Sequence, residues 1–455
     1  MHARISALLV AFALALSGLA SAQETSGTIS GRIADAQGLA VPGATITVTG
    51  PQGARTVVTD TEGRYSVPFL IPGVYVVRAE LQGFKAAETK AVTVRLGQVT
   101  GVDLSMEVGG LTETVEVTGA AAALDTRSTT TGAVLDSEMF ARIPVGRRVT
   151  DTLYLAPGVS SSGSAGTADP SFSGGSGLDN QYVIDGVNVT NTGYGAIGSY
   201  SITFGSLGNA TPFDFVKEVQ VKTGGYEAEF GQSMGGVINV VTKSGTNNLR
   251  GSIFGYSRPS ELEGSWKTVQ TDNGTVNTVG SAVHDVGIEV GFPVVEDRLF
   301  AFGAINPSWE RRTFNAPEGF PMVALGDVHR DRSAITYALK GTYQIASAHR
   351  IDGSFFGDPS KGELGAQRTS ALTIRGTAGC PDPCTSRFSE LKYGGHSQTV
   401  RYDGVFGAGW LVEASFANSK NLIEEIPSRN EWAVTDTRVV PQLVTGGIGQ
   451  FEAGN

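Results

Sequence analysis

The sequence has 455 residues, a formal net charge of −10 at pH 7, and 61 glycines. Its length exceeds that of one ordinary domain and predicts two or three domains. The net negative charge argues against a nucleic acid partner, because no basic stripe is present to neutralise phosphates. The charged fraction of only 17%, together with the many glycines, predicts strands and turns rather than charged surface helices.

Residues 1–22 have the features of a secretory signal peptide. Arg4 supplies a positive charge, residues 5–19 are almost wholly apolar, and small residues precede a cleavage site between Ala22 and Gln23. A membrane-anchor helix is the alternative, but the apolar run is short for a span of about 20 residues. No other run of that length and apolarity follows, so a mature chain that enters a membrane must do so as a β-barrel.

Residues 23–108 predict a small β-sandwich. Short segments alternate apolar and polar side chains, as around Ile46 and Val48, and turn signals such as those at 42–43 and 72–73 separate them. Short strands at this spacing are typical of an all-β sandwich.

Several motifs of this region resemble the carboxypeptidase regulatory-like domain. They are Gly31-Arg32-Ile33, Val41-Pro42-Gly43-Ala44, Thr59-Asp60 with Gly63-Arg64-Tyr65, Pro72-Gly73-Val74-Tyr75, and Gly83-Phe84. The resemblance implies a transthyretin-like or carbohydrate-binding-like fold. It implies no peptidase activity, because the domain is a non-catalytic accessory of those enzymes.

Residues 109–127 predict a linker that contains a short edge strand. Val115 and Val117 alternate with polar residues, so the segment can add to the sheet of another protein through main-chain hydrogen bonds. It resembles a TonB box, the segment that pairs with the periplasmic energy-coupling protein TonB. The alternative is the last strand of the sandwich, but the plug-like region that follows favours the TonB box. The predicted box comprises Glu113, Thr114, Val115, Glu116, Val117 and Thr118.

Residues 128–247 resemble the plug domain of TonB-dependent outer-membrane receptors. Four segments occur in the order of that family: an apolar helical turn at 147–159, a strand with an Asp-Gly turn at 182–187, a strand at 216–221, and the stretch from 226 into a glycine-rich signature at 235–247. The signature positions are Asp185, Gly186, Gly235, Gly236, Asn239, Thr242, Lys243 and Gly245. Asp185-Gly186 fits a turn better than a ligand site.

Residues 248–455 predict the first part of an antiparallel transmembrane β-barrel. Apolar residues such as Ile335 and Leu339 alternate with polar ones such as Lys340, as a barrel with an apolar outer face requires. Short connections are predicted at 293–298, 346–349 and 407–409, and long ones at 258–280, 311–331 and 358–397. A soluble β-sandwich is the alternative, but its fold does not require short and long loops to alternate so regularly along the chain.

The number of barrel strands sets a further expectation. The sequence after residue 247 predicts about eight strands, and an eight-stranded barrel has room inside only for side chains. Plugged transporters use about 22 strands. We therefore expect the sequence to stop within its barrel. The predicted fold class is mainly β, with a transthyretin-like β-sandwich, an α+β plug domain and an incomplete antiparallel barrel.

The sequence offers little for covalent chemistry or metal binding. Its five histidines have no i, i+4 ligand partner, so no zinc site is predicted. Residues 231–235 match the G-x-S-x-G motif of hydrolases around Ser233, but that motif needs a following helix and 237–241 predicts a strand. Cys380 and Cys384 are expected to form a disulfide in a long outer loop, with a metal or redox pair as the alternative. We expect no catalytic residue, metal or cofactor.

The resemblance implies a TonB-dependent receptor of the Oar-like type in the outer membrane of a Gram-negative bacterium. Such a protein would actively import a large or scarce substrate, either a carbohydrate, a siderophore or a peptide, through a plugged barrel. The expected partners are TonB with its inner-membrane energising complex, outer-membrane lipid and the imported substrate. The sandwich is expected in the periplasm. A cell-surface adhesin or carbohydrate-binding module made of β-sandwiches is the alternative, and a secreted hydrolase is a third.

Overall fold

A computed structural model shows three units in chain order: a sandwich, a mixed α/β unit and a long antiparallel wall. The mainly β fold class is confirmed. The predicted cleavage site at Ala22 and Gln23, and the pair Cys380 and Cys384, lie outside the described residues. The structure describes residues 25–109, 114–116, 130–143, 146–161, 169–191, 195, 197–198, 200–201, 205–206, 213–226, 230–231, 233–264, 277–315, 326–364, 389–407, 410–426, 434–436, 438 and 443–445.

The sandwich consists of two facing sheets. Its strands are β1 (Gly27–Asp35), β2 (Thr45–Gly50), β3 (Gly53–Val58), β4 (Arg64–Leu70), β5 (Gly73–Glu80), β6 (Ala86–Val94), β7 (Val99–Gly101), β8 (Leu104–Met106) and β9 (Thr114–Glu116). One sheet has the order β4-β1-β7 with β8 also paired to β1, and the other has the order β3-β2-β5-β6-β9. Ile46 and Val48 of β2 are fully buried in the shared core, because alternate residues of a strand face the same side.

Part of the predicted TonB box lies at the edge of the second sheet. Strand β9 pairs parallel with β6, and Val115 lies opposite Ala87. Glu113, Val117 and Thr118 lie outside the described residues. The backbone therefore has the arrangement of the alternative interpretation, a last strand of the sandwich, while recognition by TonB stays a prediction.

The middle unit is a mixed sheet with short helices packed against it. Its principal elements are β10 (Thr131–Asp136), α1 (Ser137–Arg142), α2 (Val149–Thr152), β11 (Val159–Ser160), β12 (Ser171–Phe172), β13 (Gln181–Ile184), β14 (Val187–Asn188), β15 (Tyr200–Ser201), β16 (Gly205–Ser206), β17 (Val216–Gly224) and β18 (Val237–Thr242), with 3-10 turns at Leu153–Leu155 and Phe213–Phe215. The main sheet has the order β10-β17-β18-β13-β14. Every residue of β13 and β18 is buried, which explains their runs of apolar, β-branched residues.

The wall is an antiparallel sheet of long strands. They are β19 (Arg250–Arg258), β20 (Asn277–Val295), β21 (Leu299–Asn315), β22 (Val328–Ala346), β23 (His349–Gly357), β24 (Ser360–Leu364), β25 (Ser389–Phe406) and β26 (Trp410–Ile426), with a 3-10 turn at Ser260–Leu262 after β19 and a separate pair, β27 (Val434–Asp436) and β28 (Leu443–Thr445). On β22, Ile335 and Leu339 are exposed, whereas Lys340 and Thr342 are buried. The predicted alternation of an apolar outer face and a polar inner face is confirmed.

Two predicted long loops are shorter in the structure. Strands β21 and β22 continue to Asn315 and start at Val328, so the predicted loop 311–331 shrinks to 316–327. The predicted loop 358–397 contains β24 and the first residues of β25. The charged residues at the far ends of these strands resemble loop sequence, because a strand that projects beyond the bilayer no longer needs an apolar face. Within the described part of the chain, none of the helices is both long and apolar enough to cross a membrane.

Candidate functional site: the junction of plug, wall and sandwich

The predicted signature begins with a tight turn between β13 and β14. Asp185 and Gly186 have φ values of 48° and 78°, as a two-residue hairpin turn of the primed type requires. A Cβ atom on Gly186 would lie 2.7 Å from a guanidinium nitrogen of Arg401 on the wall. Glycine is needed here both for the backbone conformation and for the close approach of the wall.

The carboxylate of Asp185 joins the plug-like unit to the wall. It accepts hydrogen bonds from the backbone N–H of Thr242 at 3.0 Å and from the Thr242 hydroxyl at 2.5 Å. Its Oδ1 also accepts a hydrogen bond from Lys340 Nζ of β22 at 2.8 Å. The side chains of Asp185 and Lys340 are only 4% and 7% exposed, so the ion pair is largely desolvated. Such a pair tolerates loss of one partner poorly, because the remaining charge stays buried.

Two more ion pairs join the same units. Lys243 Nζ lies 2.7 Å from Glu289 Oε1 on β20. Arg147 donates to both carboxylate oxygens of Asp285 on β20, each at 3.0 Å, and to Asp214 at 2.7 Å. These contacts fix the middle unit against the inner face of the wall by charge rather than by an apolar interface alone.

The signature glycines are positions of close approach. A Cβ atom on Gly235 would lie 2.4 Å from Asn180 Oδ1, and one on Gly236 would lie 2.4 Å from the ring of Phe172. At Gly245 a Cβ atom would lie 2.4 Å from the carbonyl oxygen of Ala301 on β21. The first two allow the loop to enter the buried strand β18, where Asn239 and Thr242 are buried. Gly245 lets the chain pass against the wall as it leaves the plug-like unit.

Ser233 has the environment of a structural loop residue. Its Oγ donates to the carbonyl oxygens of Asp179 at 3.1 Å and Gly236 at 3.0 Å. Strand β18, not a helix, follows it. This local structure lacks the strand–turn–helix that a hydrolase nucleophile of this motif requires. Within the described ranges, no group of three or more His, Cys, Asp or Glu side chains is arranged to hold a metal ion.

The sandwich packs onto the same junction. Glu218 Oε2 of β17 accepts a hydrogen bond from the backbone N–H of Leu96 at 2.8 Å, and Gln220 donates to the Leu96 carbonyl at 3.1 Å. Glu218 is 5% exposed. Burial raises the pKa of Glu218 to about 7, and the hydrogen bond from Leu96 opposes part of that rise. We therefore expect the contact between the sandwich and the middle unit to depend on pH near neutrality.

The sandwich also contacts the wall at its short-loop end. Arg350 of β23 donates to the carbonyl oxygen of Phe69 at 3.2 Å and pairs with Asp352. Arg55 of the sandwich donates to Gln344 Oε1 of β22 at 3.0 Å. A cavity of about 680 Å³ remains where the three units meet, and its lining includes the Asp185–Lys340 pair.

Sequence reasoning missed most of the residues that hold this junction. It placed Asp185 and Lys243 in the signature and Lys340 on a polar strand face, but it assigned no role to Arg147 or Glu289. The one signal for Glu289 is a charged side chain on the inward face of a strand, and that signal does not identify its partner. Arg147 lies before α2 and outside any strand, so it has no such signal.

Two segments of the chain match known protein families. Residues 28–107 match the model of the carboxypeptidase regulatory-like domain, and residues 125–237 match that of the TonB-dependent receptor plug domain. The chain is 33% identical, over 89% of its length, to the TonB-dependent transporter Oar of Myxococcus xanthus. The chain is therefore similar to TonB-dependent receptors of the Oar-like type. It covers 40% of the length of that relative.

Solved structures of TonB-dependent receptors are also similar to this chain. A ferric enterobactin receptor of Pseudomonas aeruginosa is 14% identical, with a TM-score of 0.47, over 70% of this chain and 44% of that one. The siderophore receptor PirA of Acinetobacter baumannii is 16% identical, with a TM-score of 0.46, over 64% of this chain and 40% of that one. The middle unit contains most of the segment that matches the plug domain, and we call it the plug from here on.

Proposed function

We propose that this chain forms the energised gate of an outer-membrane importer. The observation that supports this proposal is that three ion pairs hold the plug against the inner face of the wall. The outer face of the wall is apolar. A wall of this kind suits lipid outside and a lumen inside. The plug then blocks the lumen until work is done on it, and the molecule performs no covalent chemistry.

TonB is the proposed source of that work. The proposed box, residues 113–118, lies between the sandwich and the plug, so tension applied to it reaches β10 and then the main sheet of the plug. Because β9 is the last strand of its sheet and pairs with β6 along one edge, its other edge can pair with TonB. Under this proposal the sandwich lies in the periplasm and holds part of the box as an edge strand.

Import of a carbohydrate, siderophore or peptide by this route has a direct test in cells. Deletion of the gene and deletion of the TonB gene should give the same growth defect on the cargo. Val115→Pro, which removes a main-chain donor from the pairing strand, should insert normally but fail to restore growth. Ala122→Pro, in the linker outside the box, is the matched control and should restore it. Full growth with Val115→Pro, or recovery of the full-length protein from the soluble periplasmic fraction, would contradict the proposal.

A further inference from the structure

The inner face of the wall carries a cluster of arginines at the end remote from the sandwich. Leu299 of β21 pairs with Tyr343 of β22 near the short-loop end of the wall. About ten residues further along β21, Trp309 is exposed on the outer face. Ten residues extend about 33 Å along a strand, or roughly 25 Å across a bilayer at the usual barrel tilt. Arg312 lies three residues further, so this cluster stands at or beyond the far edge of the apolar band.

The cluster combines side chains from two neighbouring strands, β21 and β22. Arg312 pairs across the sheet with Arg330, and Glu310 pairs with Arg332, all on the face that carries Lys340 further along. Glu310 Oε1 lies 2.5 Å from Arg312 Nε and 3.7 Å from Arg330 Nη2. Three guanidinium groups thus share one carboxylate, which leaves an excess of two positive charges in this group of four residues.

Some of these guanidinium groups are buried with unused donors. Arg330 is 3% exposed, and its Nε has no hydrogen-bond partner among the described residues. The same holds for Nε and Nη2 of Arg332. A buried donor left without a partner destabilises the protein, so a ligand that supplies acceptors is favoured here.

Aromatic rings hold the two guanidinium groups in place. Arg330 lies over the ring of Phe314 at 5.4 Å, and Arg332 lies over the ring of Tyr393 at 5.8 Å, measured to the ring centres. Cation–π contact at these distances is attractive and leaves the edges of a planar guanidinium free to donate. The arrangement resembles a preformed receptor for planar or tetrahedral oxyanions.

We propose that this cluster, Glu310, Arg312, Arg330 and Arg332, binds an oxyanion group of the imported ligand, either a carboxylate, a phosphate or a sulfate. The inference rests on the proposed importer function and adds a substrate class to it: the cargo is an anion. Lipid headgroups do not fit this site, because the cluster faces the lumen with Lys340 and not the outer side with Trp309.

The test is calorimetric titration of the purified full-length protein with citrate, with inorganic sulfate, and with the neutral trimethyl ester of citrate. Citrate or sulfate should bind, more weakly at high salt, and the ester should not. Arg330→Ala with Arg332→Ala should weaken citrate binding at least tenfold. Glu310→Gln should strengthen it severalfold, a gain that misfolding does not produce. Arg311→Ala is the matched control, because Arg311 is 57% exposed and is paired with Asp331 at 2.6 Å.

The inference would be overturned by failure of both citrate and sulfate to bind the unmodified protein, or by weaker citrate binding in Glu310→Gln. Equal binding by the double arginine variant would also overturn it. Because the titration involves no TonB, its result tests the anion site independently of the importer proposal. If citrate binding depends on the arginines but uptake does not depend on TonB, the importer proposal is refuted and the anion site is still supported.

Discussion

The buried pair of Asp185 and Lys340 provides the sharpest test of how the plug is held. Replacing Lys340 by methionine keeps the volume but leaves the carboxylate of Asp185 buried without its cation. Removal of one partner from a buried pair costs about 3–5 kcal/mol. We expect the lower end, about 3 kcal/mol, because Thr242 still donates two hydrogen bonds to the carboxylate.

The assay is hydrogen exchange of the amides of β18 in the full-length protein. A loss of about 3 kcal/mol corresponds to roughly 100-fold faster opening, since each 1.4 kcal/mol is a factor of ten. Asp185→Asn combined with Lys340→Met removes both charges and should recover much of the protection, which a double-mutant cycle measures as coupling. Lys420→Met on β26 is a control, because Lys420 is exposed. Exchange within threefold of the unmodified protein in Lys340→Met would refute the reasoning.

Three further outcomes are expected. Glu218 has a pKa of about 7 against an ordinary value of 4.5, so the stability linked to its protonated form is fully present below about pH 4.5 and is lost as the pH rises through about 7. Glu218→Gln should remove this dependence and stabilise the sandwich–plug contact at pH 8 by up to about 3 kcal/mol, seen as a higher urea midpoint. Exposed Glu138→Gln should leave the dependence intact. Gly186→Ala should lower stability by at least about 1 kcal/mol in thermal unfolding, because a residue with a Cβ is strained at a φ of 78°; an unchanged melting temperature would contradict the role assigned to this turn. Val115→Pro should abolish growth on the cargo while the protein still inserts, and normal growth would remove the TonB box from these residues.

Local patterns in the sequence predicted the fold well. Alternation along β22 placed Ile335 and Lys340 on opposite faces, and the apolar run at 237–241 predicted a buried strand, because period and burial are properties of neighbouring residues. The glycine-rich signature singled out Gly235 and Gly236, but the sequence did not predict the close packing that leaves no room for a side chain there.

The contacts between units could not be predicted in this way. Asp185 and Lys340 are 155 positions apart, and alternation says only that each faces inward. The sandwich docks through backbone groups of Phe69 and Leu96, which leave no trace in side-chain chemistry. Arg330 fell in a predicted loop, because charge at the end of a projecting strand resembles loop sequence.

The central claim is that TonB acts on this chain in the outer membrane. The most direct measurement places p-benzoylphenylalanine at position 118, at the end of the proposed box, in the full-length protein of living cells. Irradiation should give a covalent adduct with TonB in the outer-membrane fraction, more abundant when the cargo is present and lost with Val115→Pro. Absence of any TonB adduct from a protein that reaches the outer membrane would contradict the account.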